Sequence, residues 1–258
     1  MPPHVVKTLR TVSPYAFTIL LFALWEIGCL AFDVPTFILP RPTQFIGELF
    51  TRGPQIWVHA SQTLYTTLVG FTLAVVLGLA IGVAVGSSRW VYEAAYPILI
   101  GFNSVPKVAI VPILVIWFGI GTVPAIITSL VICIFPIIAN VATGLATTQA
   151  ELEDILKALG ASKLDTLIHV GLPSSMPYFF AALKISISLA FVGTVVSESI
   201  AANTGIGAMM ILASSNFDVP LVFAGLFVLA ILGVLLYAVF AVIEQRVTFW
   251  AQTRPDTA

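Results

Sequence analysis

The side chains able to carry acid–base or nucleophilic chemistry are few and scattered. The chain has three histidines, His4, His59 and His169, and two cysteines, Cys29 and Cys133. No histidine falls within one of the long apolar segments, and the two cysteines lie far apart within such segments. Hydrolysis or group transfer needs a nucleophile beside a base, or a metal held by several ligands. We therefore expect no catalytic residues and no metal site, and interpret both cysteines as small buried hydrophobic residues.

Composition places the chain in a membrane. Hydrophobic residues make up 59% of the 258 residues and charged residues only 9%, too few for the surface of a soluble domain of this length. The net charge of −1 argues against a nucleic-acid partner. A helix needs roughly 20 mostly apolar residues to cross the hydrocarbon core. We predict an all-α, polytopic membrane protein with about six transmembrane helices, at 14–32, 61–87, 92–119, 122–146, 176–200 and 220–243.

The distribution of basic residues predicts the orientation. An even number of spans places both termini on one side. If that side is the cytoplasm, only Arg41 and Arg52 fall outside, while the cytoplasmic segments hold Lys7, Arg10, Arg89, Lys157, Lys163, Arg246 and Arg254. This bias predicts a protein of the inner membrane with N-in and C-in orientation. No linker separates a second domain, so we predict a single transmembrane domain over 1–258, with its core at 61–243.

Two charged residues within the predicted spans have competing interpretations. Lys107 lies near the middle of the span 92–119, where a lysine costs on the order of 2.5–3.5 kcal/mol to insert. It either lines a solute pathway or snorkels and supports a kink. Glu198 lies near the external end of the span 176–200. It is either a pathway residue, hydrated at the interface, or hydrogen-bonded to a neighbouring helix.

Small and polar side chains recur on one face of two spans. The residues are Ser129, Cys133, Pro136, Asn140 and Thr143 in one span, and Ala182, Ser186, Ala190, Thr194 and Glu198 in the next. Together they predict a polar seam inside the helix bundle. The candidate translocation pathway comprises Lys107, Asn140, Ser186, Thr194 and Glu198.

Small residues and prolines predict how two other spans are built. The span 61–87 carries a row at four-residue intervals, Gly70, Ala74, Gly78, Gly82 and Gly86. Such a row predicts close approach of another helix, with a gating hinge as the alternative. The span 92–119 is interrupted by Pro97, Pro106 and Pro112. Each proline removes a backbone hydrogen bond, so we expect a broken helix that is shielded by protein or lines a cavity.

The longest cytoplasmic connection, 147–175, has the pattern of two short helices joined by a turn. Leu152, Ile155, Leu156 and Leu159 share one helical face, and Gly160 follows at the usual helix-stop position. Ser162 with Asp165 predicts a capping box that begins a second helix, which Gly171-Leu-Pro173 is predicted to end. A projecting pair of helices with a partly apolar face predicts a docking element for a cytoplasmic partner.

This loop resembles the signature loop of ABC importer permeases. That loop reads Glu-Ala-Ala, three residues, Gly, nine residues, Ile, any residue, Leu-Pro. Here Asp154-Ile-Leu-Lys-Ala-Leu-Gly160 is followed by nine residues and Val170-Gly-Leu-Pro173. The sequence departs from the signature by Asp154 for Glu, Ile155 and Leu156 for the two alanines, and Val170 for Ile.

Other segments resemble the branch of these permeases that imports nitrate, sulfonate, taurine, bicarbonate or vitamin precursors. They are Trp25-Glu26, Leu39-Pro-Arg-Pro42, Pro106-Lys-Val-Ala-Ile-Val-Pro112, Trp117-Phe-Gly-Ile-Gly121, and Phe135-Pro136 with Asn140 and Gly144. The resemblance covers most of the chain. It implies that the substrate is a small anion of this kind or a vitamin precursor, and Lys107 suits an anion.

The resemblance implies a type I importer-permease bundle that is not itself an enzyme. Its coupling helix would sit in a groove of a separate ATPase and include Asp154, Lys157, Ala158, Gly160, Ala161, Ser162, Asp165, Leu172 and Pro173. The expected partners are two copies of a cytoplasmic ABC ATPase, a periplasmic or lipid-anchored solute-binding protein, and a second permease copy in a homodimer. This chain has no phosphate loop of the Gly-x-x-x-x-Gly-Lys-Ser/Thr type. ATP and magnesium are therefore expected on the ATPase, with no cofactor on this chain.

An ion-coupled secondary transporter is the alternative. Such proteins often contain inverted repeats and carboxylates near the midplane of the membrane. The sequence has no clear repeat, and Glu198 is the acidic residue well inside the later spans.

Overall fold

Helices are the regular secondary structure of the part of the chain that the structure describes. The computed structural model describes residues 3–147, 155–156 and 158–249, and those residues include no strand. The longer helices are α1 (Pro3–Ala31), α2 (Pro42–Thr51), α3 (Gly53–Gly86), α4 (Arg89–Ser104), α5 (Val111–Phe118), α6 (Thr122–Ala146), α7 (Leu172–Ala201), α8 (Ile206–Ser215) and α9 (Val219–Val247). A 3₁₀ turn, Lys107–Ile110, joins α4 to α5. A short helix, Lys163–Thr166, and a π-helix, Leu167–Gly171, precede α7. The predicted all-α class is confirmed.

Four helices are long and apolar enough to cross a membrane: α3, α6, α7 and α9. Helices α4 and α5 are each too short to cross a membrane alone. They count as a fifth span only when taken together, with a bend of 73° at the break between them. Helix α1 covers residues 14–31 of the first predicted span, and its stretch Ala16–Ala31 is apolar. Length and composition thus identify four or five spans among the described residues, and the apolar stretch of α1 lies where the first of the six predicted spans was placed.

The centre of the bundle consists of α3, α6 and α7. Four glycines of α3 lie so close to α6 that an added methyl group would meet its atoms at under 3.0 Å. The contacts are Gly70 with Ser129, Gly78 with Ile137, Gly82 with Val141 and Gly86 with Ala142. In lipid, helices associate through such close packing rather than through a hydrophobic drive. The structure therefore supports the packing interpretation of the row over the hinge.

The end of the bundle away from the 147–175 loop, here called the far end, is fastened by Arg52. This residue lies between α2 and α3, and its guanidinium contacts Glu48 at 3.0 Å and Asp218 at 2.6 Å. Asp218 in turn caps α9, accepting a hydrogen bond from the Leu221 N–H. The hydrogen bond from Arg52 to Asp218 raises the pKa of the guanidinium. One ion-pair network thus joins the starts of α3 and α9 to α2.

The last helix, α9, is held near its ends and is largely exposed between them. Its buried residues, Leu221, Ala224 and Gly225, all lie in its first two turns. Towards the other end Glu244 forms an ion pair with Lys184 of α7, and both side chains are partly buried. Between these attachments α9 exposes many of its apolar side chains, as helices in contact with lipid do.

Replacing the buried glycines of α3 by alanine should destabilise the bundle. At Gly70 the added Cβ would meet the Ile126 carbonyl oxygen, and at Gly86 it would meet the Ala142 backbone. Because backbone cannot move aside as a side chain can, we expect Gly70→Ala and Gly86→Ala each to cost about 1–3 kcal/mol. The measurement is the midpoint of thermal unfolding in mild detergent. Gly101→Ala in α4, with nothing within 4 Å, is the control and should not lower the midpoint.

Candidate functional site

The first helix of the 147–175 loop ends in a turn that requires glycine. The Leu159 N–H donates to the Ile155 carbonyl and the Ala161 N–H donates to the Leu156 carbonyl, each at 3.0 Å. The second bond spans five residues, as in a Schellman motif, and Gly160 has the left-handed φ of +82° that this motif needs. The predicted helix stop is confirmed. Ala158 is exposed, whereas Asp154 and Lys157 lie outside the described residues.

Ser162 and Asp165 form the predicted capping box. The Ser162 N–H and hydroxyl donate to one carboxylate oxygen of Asp165, at 3.0 and 2.6 Å. The Asp165 N–H donates to the Ser162 hydroxyl at 3.2 Å. The hydrogen bond from the hydroxyl lowers the pKa of the exposed Asp165 carboxyl. The box is therefore complete above the usual pKa of an aspartate, and is lost only as the pH falls through the lowered value.

The second helix of the loop does not end at Gly171-Leu-Pro173, contrary to the sequence prediction. The chain continues from Lys163 into α7 as one helical rod, with a π-helix at Leu167–Gly171. The Leu172 N–H donates to the Leu167 carbonyl, five residues back. Pro173 has no N–H for the His169 carbonyl, so a wider turn replaces the α-helical one. A proline in the first turn of a helix is tolerated, which explains why the rod is not broken.

The loop exposes apolar side chains on both sides of its turn. Ile155, Leu159, Leu164 and Ile168 are all exposed, Leu159 to 78%. Large apolar side chains grouped on a short projecting element indicate a surface that is covered by a partner. These exposed apolar side chains are what the predicted docking element requires, and its role stays a prediction.

Glu198 lies at the far end of α7 and is 2% exposed. Its Oε2 atom accepts the Thr63 hydroxyl at 2.8 Å and the Gly207 N–H at 3.2 Å. Its Oε1 atom has no hydrogen-bond partner in the described part of the chain. Of the interpretations left open by the sequence, the structure supports hydrogen bonding to a neighbouring helix.

The other residues of the predicted seam lie between helices of this one chain. Ser186 and Thr194 are fully buried, and neither hydroxyl has a hydrogen-bond partner among the described residues. The Ser129 hydroxyl of α6 donates to the Ala190 carbonyl of α7 at 3.1 Å. Asn140 is half-buried and its amide donates to the Pro136 carbonyl of its own helix at 2.8 Å. The seam is thus the contact between α6 and α7 in this conformation.

Lys107 lies at the elbow between α4 and α5. Helix α4 ends at Ser104, and Val105 and Pro106 are extended before the 3₁₀ turn begins. The Lys107 ammonium donates to the carbonyl and side-chain oxygens of Asn103, at 3.0 and 2.9 Å, and remains partly exposed. The predicted break in this span is confirmed. Lys107 supports the kink and also presents a positive charge beside it, so both of its interpretations fit the geometry.

Sequence reasoning missed three residues that the structure brings into play. Thr63 is the partner of Glu198, and Lys184 is the partner of Glu244. Lys184 carried a usable signal, since any charge inside a predicted span needs a partner. His59 was placed outside the spans because the second was predicted to begin at 61, yet α3 begins at Gly53. Its ring accepts the Gly205 N–H at 3.2 Å, which is a structural use of the side chain.

Known proteins resemble this chain in sequence and in fold. Residues 70–249 match the family described as binding-protein-dependent transport system inner membrane component. The chain is 29% identical to the formylaminopyrimidine transport permease of Halalkalibacterium halodurans, over 95% of this chain and 98% of that protein. It is 31% identical to the taurine transport permease of Escherichia coli, over 93% and 90%. A chain of the inward-facing MetNI methionine ABC transporter has the same fold, with a TM-score of 0.66 and 22% identity over 76% of this chain and 98% of that one. The predicted importer-permease bundle is confirmed.

Removing the Ser162 hydroxyl should loosen the loop. Replacing an N-cap serine by alanine shifts the opening equilibrium about fivefold, because the Asp165 N–H loses its acceptor. We therefore expect Ser162→Ala to accelerate tryptic cleavage within the loop by about that factor, followed over time in native membranes. Ser174→Ala, an exposed serine in the first turn of α7, is the matched control. Equal cleavage rates for both variants would contradict a stabilising role of the capping box.

Proposed function

Since this chain belongs to the family of binding-protein-dependent transport inner-membrane components, and is the permease subunit of an ATP-driven ABC importer, we propose how its parts divide that work. The 147–175 loop docks on a cytoplasmic ATPase. Two copies of the chain enclose one solute pathway between them. The ion-coupled secondary transporter is not favoured, because the family and the fold are those of an importer permease.

The exposed apolar residues of the loop carry the coupling proposal. Leu159 and Leu164 flank the Gly160 turn. The capping box stabilises the start of the second helix just after this turn. The loop continues directly into α7, so a force on the loop acts along that helix. The family implies an ATPase and a solute-binding protein as partners. We propose two copies of the ATPase, which bind the ATP and magnesium, and a homodimer of the permease.

The orientation follows from this docking. If the loop contacts a cytoplasmic ATPase, the two spans that follow it, α7 and α9, return the C-terminus to the cytoplasm. We propose that α1 also crosses the membrane, which places the N-terminus on the same side, in agreement with the bias of the basic residues. The far end, with Arg52, Asp218 and Glu198, is then external. The solute-binding protein, whether periplasmic or lipid-anchored, reaches the permease from that side.

For the pathway itself we propose Lys107 and Asn140, because both are partly exposed within the bundle. Ser186, Thr194 and Glu198 are buried in the present conformation. They would meet a solute only after α7 moves relative to α3 and α6.

For the substrate we propose a small anion, such as a sulfonate, taurine, nitrate or bicarbonate, with a vitamin precursor as the second candidate. Lys107 places a positive charge at a break in a span. Its ammonium donates to Asn103 but remains partly exposed, so it can also meet an anion. The relatives named for taurine and for formylaminopyrimidine represent the two classes.

Substitutions at Gly160 test the coupling loop. The φ of +82° is tolerated by asparagine but strongly disfavours a β-branched side chain. We expect Gly160→Val to reduce the amount of co-purifying ATPase at least about tenfold, and Gly160→Asn to retain most of it. The amount is measured by quantitative mass spectrometry after mild extraction. Gly101→Val, in an open helical position, is the control. Equal retention in the asparagine and valine variants would show that this turn does not set the docking surface.

Substitutions at Lys107 test the anion pathway. Lys107→Gln removes the charge and Lys107→Arg keeps it. Charge-assisted hydrogen bonds contribute about 1.5–3 kcal/mol, so we expect Lys107→Gln to slow ATP-dependent anion uptake about tenfold or more in proteoliposomes containing the whole importer. Lys107→Arg should transport near the parent rate. Unchanged anion uptake in the glutamine variant, or equal losses in both variants, would count against a role of the charge and favour a neutral substrate.

A further inference from the structure

Three consecutive backbone N–H groups at the start of α8 each donate to a side chain from another helix. Gly205 donates to the His59 ring at 3.2 Å and Ile206 to the Thr63 hydroxyl at 2.9 Å. Gly207 donates to Glu198 Oε2 at 3.2 Å, and Thr63 also donates to that oxygen. The first N–H groups of a helix have no partner within it, so these side chains satisfy groups that would otherwise stay unpaired away from water.

Two glycines allow this close approach. Gly205 has a left-handed φ of +106°, and a Cβ atom there would collide with the Glu198 carboxylate. A Cβ atom at Gly207 would meet the Val195 carbonyl oxygen of α7. The chain therefore has no side chain at the two places where α7 and α8 touch through polar groups.

Apolar and polar contacts fasten α8 to different helices. Its buried face, Ile206, Met209 and Ala213, packs in a cluster with Phe45 of α2, Ile56 of α3 and Leu221 of α9. The hydrogen bond to Glu198 attaches it to α7. Glu198 is 33 residues beyond Asp165 along one helical rod, a distance of about 50 Å.

We propose that Glu198 is a positioning residue that makes α8 move with α7, and that it acts as a hydrogen-bond acceptor rather than as a charge for the solute. A displacement of the rod at the loop then reaches the far end through Glu198 and changes the position of α8. The effect on transport rests on the proposed function. The attachment of α8 to α7 does not, and it is measured separately.

The attachment is tested by the reactivity of a cysteine at the contact between α7 and α8. In a chain with Cys29→Ala and Cys133→Ala, Ser199→Cys places a partly buried thiol on α7 beside Gly207 of α8. Labelling by a membrane-impermeant maleimide is followed in the assembled importer in native membranes. Glu198→Met removes the acceptor and the charge, whereas Glu198→Gln removes the charge and keeps an acceptor oxygen.

We expect labelling to rise about tenfold in Glu198→Met and to stay within about threefold of the parent in Glu198→Gln. Thr63→Val should behave like Glu198→Met. Thr67→Val is the matched control, because its buried hydroxyl donates only to the Thr63 carbonyl of the same helix, and it should label at the parent rate. Parent-like labelling in Glu198→Met would overturn the attachment. Equal labelling in the methionine and glutamine variants would overturn the acceptor role.

Transport is measured on the same variants. We expect Glu198→Met to keep ATP hydrolysis but lose most uptake, and Glu198→Gln to restore uptake to within a fewfold of the parent. Uptake at the parent rate in Glu198→Met, with raised labelling, would show that detaching α8 from α7 does not affect transport. That result would overturn the proposal that Glu198 passes the movement of α7 to α8. If the parent importer itself fails to take up solute with ATP, the proposed function fails, and the labelling result still stands.

Discussion

Backbone polar groups inside a bilayer must find partners within the protein, and this constraint accounts for most of the architecture. Continuous helices satisfy it along α3, α6, α7 and α9. Where a helix starts, stops or breaks within the bundle, side chains supply the missing partners. The Lys107 ammonium does so for the Asn103 carbonyl at the elbow, and Thr63 and Glu198 do so at the start of α8. Polar side chains thus complete the hydrogen bonding at two places where regular helix ends.

Small residues determine how tightly the satisfied helices pack. The glycine row of α3 brings that helix close to α6, and Gly193 of α7 lies close to the same helix from another side. The three central helices thus form a dense core, in which these glycines let large side chains such as Ile137 pack against the neighbouring backbone. Outside it, α4 has no buried residue and α9 is buried only near its start. These outer helices leave apolar side chains exposed, as helices in contact with lipid do.

Local patterns in the sequence predicted local structure well. The Gly160 turn, the Ser162–Asp165 box, the break at Pro106 and the close packing of the glycine row each depend on a few neighbouring residues. The sequence could not show that Thr63 meets Glu198, because that pairing depends on how two distant helices are placed. The predicted end at Pro173 was wrong because a proline near the start of a helix is tolerated when a wider turn precedes it.

The π-helix at Leu167–Gly171 has a consequence for the direction in which the loop projects from the bundle. A π-turn accommodates one more residue than an α-turn, and one residue of α-helix corresponds to a rotation of about 100°. Gain or loss of a single residue here would rotate the exposed leucines of the loop about the axis of α7. The identity of these leucines and the packed core would not change. Chain length in this short segment therefore sets the direction in which the loop projects from α7.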